Sequence, residues 1–202
     1  MKLYFSKGAC SLAVRIILNE LHIPCEYESV NLKTKETVNG ADFFKINPKG
    51  AVPVLQLDDK TILTENVAIQ QYLADSKKAD ALLPSMGVQR YHVIEWLSFV
   101  ATELHKGCAP FFHPGIPAQV KDDIFRPALI NKLKFVDQQL AKTSYLTGDH
   151  FSVADAYLFV ILSWLPATQI DIKQFPHVEK YFEMLKQRES VVKSLKEEGL
   201  AS

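Results

Sequence analysis

The chain has 202 residues, 48% of them in the hydrophobic set, with 23 Lys and Arg balanced by 23 Asp and Glu and only three Cys. That length predicts one to two domains and a sizeable core that needs no disulfide or metal support. The charge balance is also local, 10 positive against 10 negative residues over 1–80 and 13 against 13 over 81–202. No surplus of cations is left for nucleic acid or anionic lipid, and any anionic ligand must be met by individual groups.

The longest stretch without a charge, Ala156 to Ile170, is 15 residues and contains Pro166. It is short of the roughly 20 apolar residues a membrane span requires and predicts a buried core helix. Arg15 interrupts the first apolar run, which makes a poor signal-peptide core, so a cytoplasmic protein with no membrane partner is expected. Cys10, Cys25 and Cys108 contain no CxxC pair, which suggests neither a disulfide framework nor a dithiol couple.

In chain order, Leu3 to Phe5 is a short strand-like run, Ser6-Lys7-Gly8-Ala9 a turn, and Ala13, Ile17 and Leu21 recur at helical spacing until Pro24. Cys25, Tyr27 and Ser29 alternate with Glu26 and Glu28 as a half-exposed strand. A polar stretch from Asn31 to Gly40 and the Asn47-Pro48-Lys49-Gly50 turn follow. Val52 to Leu57 and Thr61 to Leu63, separated by Asp58-Asp59-Lys60, predict a hairpin. A helix from Glu65 to about Asp75 is expected to bury Val67, Ala68, Tyr72 and Leu73.

The order is βαβ, a loop or short helix, then ββα, in a mixed four-stranded sheet. There is no GxGxxG or Walker-type loop, so dinucleotide binding is unsupported. After the polar connector Ser76 to Pro84, helical spacing alone remains, which divides the chain into domains of 1–80 and 87–202. Helices are expected near 88–107, 124–142, 152–166 and 176–187, with a short one from about 190. Ser152-Val153-Ala154-Asp155 fits a capping box opening the third. Tyr72, Trp96, Phe99 and Trp164 fall on apolar faces and are expected in the core, Trp164 with the option of lining a pocket.

Four places in the sequence could carry chemistry. Cys10 follows the turn and precedes the helix starting near Ser11, where free N–H groups and the positive helix end favour a thiolate; a small apolar packing residue is the other reading. Val52-Pro53 stands where a central strand begins. A cis bond there would leave the Val52 N–H and C=O for an extended peptide-like ligand, whereas an ordinary trans Pro at a strand start would not. Glu65-Asn66 opens the second helix and suits the α-amino acid end of a ligand, or else Thr64 or Asn66 simply caps it.

The fourth is the group Glu103, His105, Lys106 and Cys108. His105 reads either as a helix-terminal hydrogen bonder or as a catalytic or binding group titrating near neutral pH. His105, Cys108 and His113 match no familiar zinc spacing, and no metal is expected.

Taken together, these residues resemble the bacterial beta-class glutathione transferases over essentially the whole chain. The resemblance rests on Gly8-Ala9-Cys10-Ser11-Leu12, Ile46 to Leu55 around Val52-Pro53, and Leu63-Thr64-Glu65 with Gln71-Tyr72-Leu73-Ala74-Asp75. It continues with Glu103-Leu104-His105-Lys106-Gly107 and Gly148 to Tyr157. It implies a thioredoxin-like N-terminal domain, an all-helical C-terminal domain, and a cytoplasmic homodimer that detoxifies small hydrophobic electrophiles with glutathione as co-substrate and no cofactor.

By position it implies that Ala9 and Cys10 lie by the glutathione sulfur, with which Cys10 can form a mixed disulfide and so support thiol-disulfide exchange, and that Val52 before cis-Pro53 pairs with the cysteinyl backbone. Glu65 and Asn66 hold the γ-glutamyl end, helped by Glu103 of the other subunit. Lys35 and His105 serve the glycyl carboxylate or the region of the sulfur, with Lys106 nearby as part of the glutathione site, and Phe111, Phe112, His113 and Trp164 are the candidates for the electrophile pocket. Val14-Arg15, Asn66 and Ser98 depart from the residues usual in the class. Two rivals remain: a glutathione-dependent reductase or dehalogenase on the same fold, and a non-catalytic dimeric scaffold.

Overall fold

The computed structural model describes residues 1–200. They form two compact units, one of residues 1–79 together with the segment from Arg188 on, the other of Asp80–Gln187.

In the first unit the alternating runs become strands and the 3.6-periodic runs helices: β1 (Lys2–Phe5), α1 (Ser11–Glu20), β2 (Glu26–Asn31), β3 (Glu36–Thr37), β4 (Val54–Gln56), β5 (Ile62–Thr64) and α2 (Asn66–Ser76). The sheet is mixed and has five strands in the order β3-β2-β1-β4-β5, not four. The additional strand is a two-residue edge antiparallel to β2, pairing Val30 with Thr37 and Asn31 with Glu36. Two polar residues carry no period-2 signal, which is why the stretch reads as a loop. At the centre Leu3 lies opposite Tyr27 in parallel pairing with β2 and opposite Leu55 in antiparallel pairing with β4. Leu55 in turn faces Leu63 of the hairpin.

Residues Ser11 to Asn19 of α1 are all buried, because the helix packs against β1, α2 and α10 (Glu189–Glu197). This last helix, expected within the helical domain, belongs with the first unit. Its attachment is polar and concerns Arg15, which is only 2% exposed. The Arg15 Nε donates to Glu198 at 3.1 Å and Nη1 to Glu197 at 3.3 Å. The guanidinium also lies over the Tyr27 ring at 3.6 Å and the Phe5 ring at 4.5 Å. A buried cation so enclosed is satisfied on its edge by carboxylates and on its faces by aromatic quadrupoles. Asn19 Nδ2 adds bonds to Ser194 and Glu197, at 2.8 and 3.0 Å.

The inner face of α2 is rotated from the expected one: Asn66, Ile69, Gln70, Leu73 and Ala74 are buried, whereas Ala68 is exposed and Tyr72 is 37% exposed. Two polar residues occupy the buried stripe because their amide groups bond there, Gln70 Nε2 to Asn66 and Asn66 Nδ2 to the Cys10 carbonyl, an arrangement that hydrophobic periodicity does not reveal.

The second unit is helical. The expected 88–107 helix runs on to 112 as α3 (Val88–Phe99), a π-helical stretch Val100–His105 and α4 (Lys106–Phe112). The 124–142 segment opens earlier, with α5 (Ala118–Val120) and π-helical Lys121–Phe125 leading into α6 (Arg126–Leu140). The 152–166 segment breaks after α7 (Val153–Leu162) and resumes as α8 (Leu165–Thr168), with Pro166 in the first turn. Pro there lacks no needed N–H and restarts a helix better than it continues one. α9 (Pro176–Lys186) follows.

Every residue of α7 is buried, and Ser152 caps it with Asp155 in the reciprocal position. Trp96 and Phe99 are half-buried rather than enclosed, Trp96 stacking on Phe135 with ring centres 5.4 Å apart. No described helix is long and apolar enough to cross a membrane.

Candidate functional site

In the first unit three separated segments meet around Cys10. The turn Ser6 to Ala9 is closed by the Ala9 N–H on the Ser6 carbonyl at 3.0 Å and requires a positive φ of 67° at Gly8. Cys10 then occupies the N-cap of α1, 8% exposed, and its thiol donates to the Val52 carbonyl at 3.4 Å. The Val52-Pro53 bond is cis. Among the described residues the Val52 N–H has no hydrogen-bond partner. A short edge of peptide backbone with a thiol beside it therefore borders the start of α1. Ala9 and Val52 pack on the cluster of Tyr4, Val30, Phe43 and Val54 below.

Asn66 completes this group by its side chain. Its Nδ2 donates to the Cys10 carbonyl at 2.7 Å, and its Oδ1 accepts from Gln70 Nε2 at 2.9 Å. The side chain of Asn66 is thus turned to Cys10 and caps nothing on α2. Thr64 does not cap α2 either, since its hydroxyl accepts from Lys49 Nζ at 2.8 Å. The N-cap is Glu65, without a side-chain capping bond, at φ 71° and ψ 122°. A non-glycine residue held there costs about 1–3 kcal/mol, and such conformations concentrate at ligand sites. The Glu65 carboxylate is 69% exposed and paired with Lys49. Lys35, also at positive φ, places its Nζ on the Gly50 carbonyl at 2.8 Å.

In the second unit His105 sits inside a continuous helical path, at the end of the π-helical stretch and not at a helix terminus. Such widened turns re-aim side chains and are frequent at functional sites. Its Nδ1 lies 2.5 Å from the Tyr157 hydroxyl, and its ring meets Trp164 edge-on at 5.0 Å. Phe112, 52% exposed, contacts Trp164 edge-on at 5.7 Å.

Burial, aided by the Lys106 charge, lowers the His105 pKa from 6.5 to about 4. The reading of His105 as a group titrating near neutral pH is therefore corrected: desolvation keeps the ring neutral there. An imidazole NMR titration should show no His105 inflection between pH 5.5 and 7.5. Because the folded pKa is depressed, the stability linked to it is complete above pH 6.5 and falls by about 2–3 kcal/mol as pH drops towards 4. An inflection near 6.5 would contradict the assignment.

The remaining residues stand apart from this aromatic group. Glu103 pairs with Lys132 at 2.8 Å, and that bond lowers its carboxyl pKa. Lys106 is exposed beside His105. His113 lies past the end of α4, exposed, its Nδ1 accepting the Gly115 N–H at 3.1 Å. Among the described residues no group of three His, Cys, Asp or Glu side chains could hold a metal. Lys49, Tyr157 and Gln70 are the participants that sequence reasoning did not single out. Lys49 sits in a recognised turn, but the other two lie on buried helix faces where nothing in the pattern distinguishes them.

The family description "Glutathione S-transferase, N-terminal domain" matches residues 8–76, and "Glutathione S-transferase, C-terminal domain" matches 99–189. The chain is similar to Glutathione S-transferase GstA of Escherichia coli O157:H7, 44% identical over 201 residues, covering 99% of this chain and 100% of that one. Its structure is similar to that of BphK, a bacterial GST solved as a ternary complex, with 43% identity, a TM-score of 0.96, and 99% and 100% of the two chains covered. It is likewise similar to the beta-class glutathione S-transferase of Sphingomonas chungbukensis, with 42% identity, a TM-score of 0.95 and full coverage of both. With both domain descriptions matched in order and a full-length relative at this identity, the chain belongs to the glutathione S-transferase family.

Proposed function

We propose that this enzyme binds glutathione on the Cys10, Val52 and Glu65 face of the first unit and conjugates its sulfur to small hydrophobic electrophiles. The observation that carries this reading is the backbone of Val52, whose N–H is unpaired among the described residues and whose carbonyl already holds the Cys10 thiol. An extended cysteinyl residue pairs there as an added strand would, which brings its sulfur to the start of α1. The first turn of α2 takes the γ-glutamyl carboxylate on the backbone N–H of Asn66, and Glu65 exchanges Lys49 for the ammonium. Lys35 reaches the glycyl carboxylate once it leaves the Gly50 carbonyl. The sheet cluster under Ala9 and Val52 keeps this face rigid.

In the reaction the glutathione thiolate attacks the electrophilic carbon, the leaving group departs with the bonding pair, and the thiol proton passes to solvent. In the helical unit His105 stays neutral, and Phe112 and Trp164, packed edge-on, offer an apolar, half-exposed lining that suits a small electrophile. No resident cofactor is needed. Exposed apolar side chains such as Phe44, Met86 and Tyr91 suit a homodimer in which Glu103 of one subunit serves the other's site. The role is cytoplasmic detoxification.

Calorimetric titration of the whole protein with glutathione, followed by a screen of thiol acceptors, tests the proposal. Saturable binding and turnover of at least one electrophile are expected. No binding at millimolar glutathione would leave the scaffold reading ahead.

A further inference from the structure

The turn that presents Cys10 is held from behind by a residue far along the chain. Glu198 follows α10, and its side chain is fully buried. One carboxylate oxygen accepts the Gly8 N–H at 2.9 Å and the other accepts Arg15 Nε at 3.1 Å. Gly8 lies two residues before Cys10, at a φ of 67° that favours glycine. A Cβ at this position would also stand 3.8 Å from Leu200. Arg15, a departure from the class pattern, supplies the charge that lets the carboxylate stay buried.

We propose that Glu198, locked by Arg15, is a positioning residue for the reaction, fixing the Gly8 to Cys10 turn and through it the height of the thiol over the Val52 carbonyl. It acts through the turn and touches no reacting atom. The contact differs in purpose from the rest of the α1 to α10 interface. Asn19 holds the same helix through Ser194 and Glu197 without reaching the turn.

Glu198→Ala, Glu198→Gln and Asn19→Ala, made in the full chain, separate positioning from packing. Each is measured for thermal unfolding, for the rate at which iodoacetamide alkylates Cys10, and for glutathione KM and kcat. Glu198→Ala is expected to speed alkylation several-fold as the turn loosens, and to raise KM about tenfold with kcat changed less, the size of one lost charge-assisted hydrogen bond. Glu198→Gln keeps an acceptor for the Gly8 amide and should recover most of both effects. Asn19→Ala should lower the unfolding temperature while leaving alkylation and KM near wild type.

Equal shifts in Glu198→Ala and Asn19→Ala, or an unchanged alkylation rate in Glu198→Ala, would overturn the proposal. The KM measurement rests on the glutathione reading above, whereas alkylation does not. If the wild-type protein fails to bind glutathione, that reading falls and the alkylation contrast still decides the brace.

Discussion

Replacing Asp155 by Ala is expected to destabilise the protein by about 3–5 kcal/mol, the range for removing one side of a buried charged network. Asp155 is completely buried. One of its oxygens accepts the Ser152 N–H at 2.8 Å and the Ser152 hydroxyl at 2.6 Å. The other accepts the Leu146 N–H at 2.9 Å and the Tyr181 hydroxyl at 2.8 Å. The residue therefore caps α7, pins the loop before it and ties in α9 at once. Burial pushes its carboxyl pKa up, and these donors work against that shift.

Alanine leaves four donors facing a dry gap, so the loss exceeds the roughly 1 kcal/mol of an ordinary N-cap deletion. Tyr181→Phe removes only one donor and should cost about 1 kcal/mol. Asp155→Asn keeps the volume but supplies one acceptor oxygen where two are used, and should fall between the two. Urea denaturation checks all three. A loss below about 1 kcal/mol for Asp155→Ala would show that the network is satisfied by other groups.

The architecture was legible where hydrophobic period and turn chemistry agreed. The strand of Leu3 to Phe5, the turn at Gly8, the helix start at Ser11 and the hairpin across Asp58 to Lys60 all follow from local signals. The capping box at Ser152 is local too. What was not legible depends on partners distant in sequence. Arg15 looks like an interruption of an apolar helix until Glu198 supplies its counter-charge. The turned face of α2 follows from Asn66, whose amide is drawn inward by the Cys10 carbonyl.

The edge strand Glu36–Thr37 is too short to show a period, and it exists because β2 offers it a ladder. The widened turns at 100–105 leave no mark in composition. The candidate site divides in the same way. Cys10, Val52, Pro53 and Glu65 stand at positions whose backbone chemistry can be argued from the sequence, whereas the Tyr157 bond that orients His105 needs the packed helices to be seen.

Replacing Cys10 by Ala should lower thiol exchange with glutathione disulfides by about a thousandfold or more while leaving conjugation within about tenfold of wild type. In that exchange, which we propose as a second activity of the same site, the Cys10 thiolate would attack the glutathionyl sulfur of a mixed disulfide and the other thiolate would leave. A second glutathione thiolate then attacks that Cys10 disulfide, releasing oxidised glutathione and restoring Cys10. In the proposed conjugation the nucleophile is the sulfur of glutathione itself, and Cys10 would only line its position.

The other two cysteines cannot substitute for it in exchange. Cys108 is fully buried, and burial drives its pKa to about 12; Cys25 rises to about 11 for the same reason. At neutral pH each holds on the order of one thiolate in ten thousand or fewer. Only Cys10 combines a helix start with a neighbouring backbone edge on which a peptide disulfide can lie. Steady-state rates for both reactions in the wild type, Cys10→Ala and Cys10→Ser decide the point. Exchange that persists at the wild-type rate in Cys10→Ala would remove Cys10 as nucleophile, and a parallel collapse of conjugation would mean that its thiol is required for glutathione to bind at all.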